Sequence, residues 1–126
     1  MTTPEEERAI ADKMLKRIEE EYGFVPLVNQ VLSERPDLFI PNANLGKAVL
    51  ESDSKRLDRK TSYLIAMACA TSLGAEHCAR VQGTHAKDAG ASRDEILEAM
   101  TIGSYMALNR SQSYGFRAFK EIFKEE

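Results

Sequence analysis

An all-α fold is what this sequence predicts, and three observations carry that expectation. Two capping boxes, Thr3 to Glu6 and Ser92 to Glu95, mark helix starts. Apolar residues recur at helical spacing along most of the chain, and no segment alternates apolar with polar residues as a half-buried strand does. At 126 residues and 43% hydrophobic content the chain has the size and apolar material for a single domain over 1–126.

The elements follow in order. Thr3 as N-cap, Pro4 at the first helical position and the acidic run Glu5-Glu6-Glu7 open a first helix, complementing the positive end of its dipole. Ile10, Met14, Ile18 and Tyr22 then predict one buried stripe, and Gly23 a stop. A short second helix holds Leu27, Val28, Val31 and Leu32 and ends at Arg35-Pro36, because a residue before proline avoids helical angles. A third begins near Pro36 and runs through Leu50, with Pro41 expected to kink or restart it.

Asp58 is the expected N-cap of a fourth helix. Its middle, Leu64 to Ala70, is apolar all round and so belongs at the centre. Gly74 ends it, and a fifth helix from about Glu76 to Ala89 completes an antiparallel hairpin closed by Gly90. The sixth starts at Ser92 and runs through Ile96, Met100, Tyr105 and Met106; Asn109 is expected to interrupt it before a closing helix with Tyr114, Phe119, Ile122 and Phe123.

Composition excludes several functions. Charged residues amount to 29% of the chain with a net charge of -3, so no basic field awaits a nucleic acid. No apolar run is long enough to span a bilayer, and the acidic N-terminus does not resemble a secretory signal; a cytoplasmic protein is the expectation. Two cysteines form no disulfide framework, which fits a reducing compartment. Two histidines and separated cysteines fall short of a zinc ligand set, and there is neither a glycine-rich phosphate cradle nor a nucleophilic-serine motif. No cofactor and no metal are expected.

Chemistry concentrates in Glu76-His77-Cys78-Ala79-Arg80-Val81-Gln82-Gly83-Thr84-His85. Helical spacing sets Cys78, Gln82 and His85 on one face, while His77 adjoins the thiol at the mouth of the turn. Unpaired amides at a helix start favour a thiolate, the reactive form of cysteine. The competing reading makes Cys78 a small buried hydrophobe and His85 a surface residue. Cys69, one turn before Gly74, faces the same choice between packing in its apolar helix and a reversible disulfide with Cys78.

Three stretches resemble the carboxymuconolactone decarboxylase superfamily, which includes the alkylhydroperoxidase D-like proteins. They are Tyr22-Gly23-Phe24-Val25-Pro26 with Glu34-Arg35-Pro36-Asp37-Leu38, Leu57-Asp58-Arg59-Lys60-Thr61, and Ala89-Gly90-Ala91-Ser92-Arg93-Asp94-Glu95-Ile96. The resemblance implies an all-α bundle built on a helical hairpin and assembled into homo-oligomers, commonly trimers or hexamers, acting on a small molecule. Its redox branch uses a Cys-x-x-Cys pair, a His four residues later and an upstream Glu. Counted back from Gly90, the second Cys falls on Cys78 and the residue before it on His77, whereas Ala75, Gln82 and Tyr63 stand where that branch has the first Cys, the His and the Glu.

What the resemblance implies is therefore a thiol-dependent oxidoreductase of hydroperoxidase or peroxiredoxin type, an antioxidant activity on a lone cysteine. Cys78 would be nucleophile, His77 or His85 the proton-transfer partner, Gln82 a polar orienter and Cys69 a resolving thiol. The alternatives are a lactone decarboxylase acting on a small carboxylated substrate, with His85, Arg80 and Arg110 supplying proton and cations, and a non-catalytic oligomeric member of the family.

Overall fold

The structure is a computed structural model and describes residues 1–125. Six helices appear in chain order, α1 (Pro4–Tyr22), α2 (Leu27–Leu32), α3 (Pro36–Glu51), α4 (Arg59–Ser72), α5 (Glu76–Asp88) and α6 (Arg93–Ile122), and no strand occurs among the described residues. They divide into two compact units, Met1–Asp53 and Ser54–Glu126.

In the first unit both expected signals at the ends of α1 are present. The Thr3 amide donates to Glu6 Oε2 at 3.0 Å while the Glu6 amide donates to Thr3 Oγ1 at 3.1 Å, and Gly23 closes the helix at φ 79°, where a side chain would be strained. α1 and α2 both pack on α3, around Ala11 and Phe39, neither of which is exposed to any degree. The expected α1 stripe is displaced: Ile10 is exposed and Met14, Ile18 and Tyr22 are half-buried, while Ala11 sits at the contact. α3 also continues through Pro41 without restarting. Only one ladder bond, to the Asp37 carbonyl, lacks its donor.

The second unit is built around α4, which packs against both α5 and α6. Asp58 caps it, its carboxylate accepting from the Thr61 amide at 2.7 Å, and Lys55 donates to Ser62 Oγ just inside the first turn. The two sharp reversals share one geometry. Gly74 and Gly90 take φ of 70° and 101°, the Gly74 and Gly90 amides donate to Thr71 and Lys87, and the Ala75 and Ala91 amides donate to Ala70 and Ala86 at 2.9 Å. These paired bonds satisfy carbonyls that the helix ends would otherwise orphan.

Packing between α4 and α6 is tight enough to exclude a side chain at Gly103. A Cβ there would lie 2.3 Å from the Ala68 carbonyl oxygen, so the glycine sets the interhelical distance. Met67, with no exposed surface, fills the space beside Gly83. α4 is nonetheless not buried all round. Tyr63, Met67 and Ala70 face inward, whereas Ile65 and Cys69 are exposed on the opposite side.

α6 is one unbroken helix of 30 residues, so the expected interruption at Asn109 is absent. Its amide Nδ2 donates to the Tyr105 carbonyl at 3.0 Å, so the polar group is satisfied by the helix itself. At about 45 Å, α6 is roughly twice as long as α4, and every described residue beyond Asn109 is exposed. Along that stretch Tyr114 lies between the guanidiniums of Arg110 and Arg117, 5.8 and 5.1 Å from its ring centre.

Candidate active site on the fifth helix

α5 starts without a side-chain cap, because Ala75 in the N-cap position offers no acceptor. Cys78 is the third residue of that helix, within reach of its positive end, and its thiol is free and exposed. The reading of Cys78 as a buried hydrophobe is thereby corrected: the inward positions of α5 are taken by Gly83 and Ala86. Glu76, in the same turn, would oppose a thiolate, but its carboxylate pairs with Arg80 at 3.3 Å. Both partners are highly exposed, so the pairing is weak and serves mainly to offset the local negative charge.

Exposure falls along the flank of α5 that runs from Cys78 through Gln82 to His85: the thiol is exposed and the other two side chains are half-buried. Gln82 Oε1 is buried with no hydrogen-bond partner among the described residues, an acceptor held out of water beside the flank. His85 is not the freely exposed side chain of the competing reading. Its ring stacks on Tyr63 of α4, with centroids 4.9 Å apart and planes 25° from parallel, and Tyr63 is only 4% exposed. Aromatic stacking of this kind contributes about 0.5–1.5 kcal/mol and fixes the plane of the imidazole.

Not every expected residue joins this flank. His77 is exposed at the start of the helix, one position before Cys78. Arg80 lies roughly 140° around α5 from His85 at 100° per residue, and Arg110 stands over Tyr114 on α6. Cys69 is a free thiol on the exposed side of α4, where the expectation of core packing is corrected. It shares that side with Ile65, turned away from Tyr63 and Met67.

The stack of Tyr63 on His85 is the feature that sequence reasoning missed. A signal for it existed, since the two residues lie eleven positions on either side of Gly74 and a tight turn there brings equal distances into register. The stretches that carried the family resemblance turn out to be architectural. Glu95 accepts from the Ser92 amide through Oε1 at 2.9 Å and from Lys60 through Oε2 at 2.9 Å, so one carboxylate closes the α6 cap and ties it to α4. The Ser92 amide and Lys60 hold that carboxyl below its ordinary range, and the Thr61 amide does the same for Asp58.

The sequence profile of the Carboxymuconolactone decarboxylase family matches residues 36–121, about two thirds of the chain. The chain belongs to the carboxymuconolactone decarboxylase family. Searches of curated proteins and of solved structures returned no match. The match to the carboxymuconolactone decarboxylase family covers α3, α4 and α5 entirely and α6 up to Glu121, and with them every residue of the flank described above. Among the described residues no three His, Cys, Asp or Glu side chains converge as a metal site, and no helix is long and apolar enough to cross a membrane.

Proposed function

We propose that this member of the family is a thiol-dependent peroxidase-type oxidoreductase with Cys78 as its nucleophile. One observation carries the reading: an exposed thiol in the uncapped first turn of α5, on the same helix flank as an imidazole anchored by a buried aromatic ring. The thiolate attacks one oxygen of a hydroperoxide, the O–O bond breaks, and the departing alkoxide takes a proton to leave as an alcohol. Cys78 is left as a sulfenic acid. A second thiol then attacks its sulfur, releasing water and forming a disulfide, and a further thiol restores the free Cys78.

His85 is the proton source for the leaving oxygen, with His77 as the exposed alternative at the turn. Gln82 orients the substrate through its buried amide oxygen. The outward position of Cys69 favours a resolving thiol that approaches from another molecule, a second copy of the chain or a small thiol, over pairing inside one protomer. A small peroxide is the substrate, the compartment is the reducing cytoplasm, and the working form is a homo-oligomer, a trimer or hexamer.

The lactone-decarboxylase reading needs a proton donor flanked by cations. It finds less support, since Arg80 lies roughly 140° around α5 from His85 and Arg110 stands over Tyr114. The two are separated by treating the protein with substoichiometric peroxide and trapping sulfenic acid with a 1,3-diketone. Labelling at Cys78 that is absent in Cys78→Ser supports the peroxidase; a Cys78 that stays a reduced, unlabelled thiol under the same treatment overturns it.

A further inference from the structure

We infer that the buried amide oxygen of Gln82 accepts a hydrogen bond from the hydroxyl of the oxygen atom that Cys78 removes from its peroxide, so that the site takes neutral hydroperoxides, which carry that proton. The inference rests on the peroxidase reading above and deepens it, naming what Gln82 recognises and in which protonation state. Its starting point is an orphaned acceptor. Among the described residues two side-chain polar atoms are buried without a hydrogen bond, Arg8 Nε and Gln82 Oε1. Arg8 Nε lies 3.2 Å from the Asp12 carboxylate, which compensates it. The Gln82 oxygen has no such partner, and an acceptor held out of water with nothing donating to it destabilises the fold that carries it. An apolar side chain of the same size would fill the position without that penalty. The oxygen is matched instead to a donor that arrives with a ligand.

Position selects the donor. Gln82 follows Cys78 by four residues and precedes His85 by three, which sets the three side chains within a sector of roughly 60° on α5, with Gln82 about 6 Å along the axis from Cys78. Long side chains on a helix lean toward its N-terminus, over the residue four positions earlier. For Gln82 that residue is Cys78, with its exposed thiol. The terminal amide turns on a soft torsion, so its oxygen meets a donor placed above the sulfur. A carboxylate or a peroxide anion brings only lone pairs to this acceptor and is repelled, whereas a hydroperoxide brings an O–H. The thiolate attacks that terminal oxygen: the S–O bond forms as the O–O bond breaks, and both electrons of the O–O bond leave on the inner oxygen as alkoxide, which takes its proton from His85. Sulfur is oxidised by two electrons and the peroxide reduced by two. The hydroxyl proton stays on the transferred oxygen throughout. It donates to Gln82 in the bound peroxide and again in the sulfenic acid of Cys78, one turn from the same amide.

The test compares two reagents for one thiol, in Cys69→Ser protein where Cys78 is the remaining cysteine, with and without Gln82→Leu, which keeps the bulk and removes the acceptor. tert-Butyl hydroperoxide carries the O–H; methyl methanethiosulfonate reacts with the same thiolate and has no such proton. In Gln82→Leu the stopped-flow rate falls tenfold or more with the hydroperoxide and stays within twofold with the thiosulfonate, while the urea midpoint equals or exceeds that of the parent because an unpaired buried acceptor is gone. Parallel loss of both rates would make Gln82 a determinant of thiol reactivity in general, and an unchanged hydroperoxide rate would leave its oxygen to a bound water; either result overturns the inference while the peroxidase reading stands. A lowered urea midpoint overturns it as well, since the oxygen would then be bonded within the free fold. A parent Cys78 that the thiosulfonate modifies and the hydroperoxide does not overturns the peroxidase reading and this inference with it.

Discussion

Two glycines and one aromatic pair decide how the helices meet. Gly103 faces backbone, with a Cβ position 2.3 Å from the Ala68 carbonyl, whereas the same position at Gly83 lies 3.2 Å from the flexible end of Met67. Gly103→Ala therefore forces α4 and α6 apart and destabilises the protein by about 1–3 kcal/mol, while Gly83→Ala costs less, an ordering that urea denaturation of the two variants tests. Tyr63 holds the imidazole plane of His85. Under the peroxidase reading, Tyr63→Phe keeps the stack and most of the turnover, and Tyr63→Ala loses both; equal turnover in the two variants, measured on folded protein, would remove Tyr63 from a positioning role.

Helix ends carry the pH dependence. The Thr61 amide lowers the Asp58 carboxyl below its ordinary 3.8, and the Ser92 amide together with Lys60 lowers Glu95 below 4.5. Because folding favours the ionised carboxylates, their contribution is fully present above those ordinary values and is lost as pH falls through the lower values of the folded state. Lys60 runs the opposite way: Glu95 raises it above 10.5, so its contribution is present below that pH and lost on further alkalinisation. The urea midpoint of the protein accordingly falls between pH 5 and pH 3, and Glu95→Gln flattens that slope. Ser92→Ala, which removes the acceptor for the Glu95 amide, costs about 1 kcal/mol at neutral pH.

These same ends were the most legible part of the sequence. Thr3, Asp58, Ser92, Gly23, Gly74 and Gly90 all act where their side chains, or the lack of one, predict. What misled was treating Pro41 and Asn109 as breaks. A helix interior tolerates one missing donor or one polar amide when its remaining bonds and its packing persist, and local propensity does not register that. Periodicity also located the apolar faces of α1 and α4 without revealing which partner helix each would meet. Ala11 rather than Ile10 is therefore buried in α1, and Cys69 is exposed within an apolar run.

For the molecule as a whole, the candidate site was legible as a residue set and not as a geometry. Spacing alone put Cys78, Gln82 and His85 on one flank, but the burial of the Gln82 oxygen and the anchoring of His85 depend on how α4 and α5 meet. Family membership narrows the architecture and leaves the chemistry to the side chains, which on α5 include one exposed thiol, Cys78. The central claim is that this single thiol turns over peroxide, and the most direct measurement is steady-state hydroperoxide consumption by the reduced protein with a small thiol as electron donor. Turnover is expected to persist in large part in Cys69→Ser, to fall tenfold or more in His85→Ala and to vanish in Cys78→Ser; consumption undiminished in Cys78→Ser, or absent from the folded wild-type protein, would contradict a peroxidase role for Cys78.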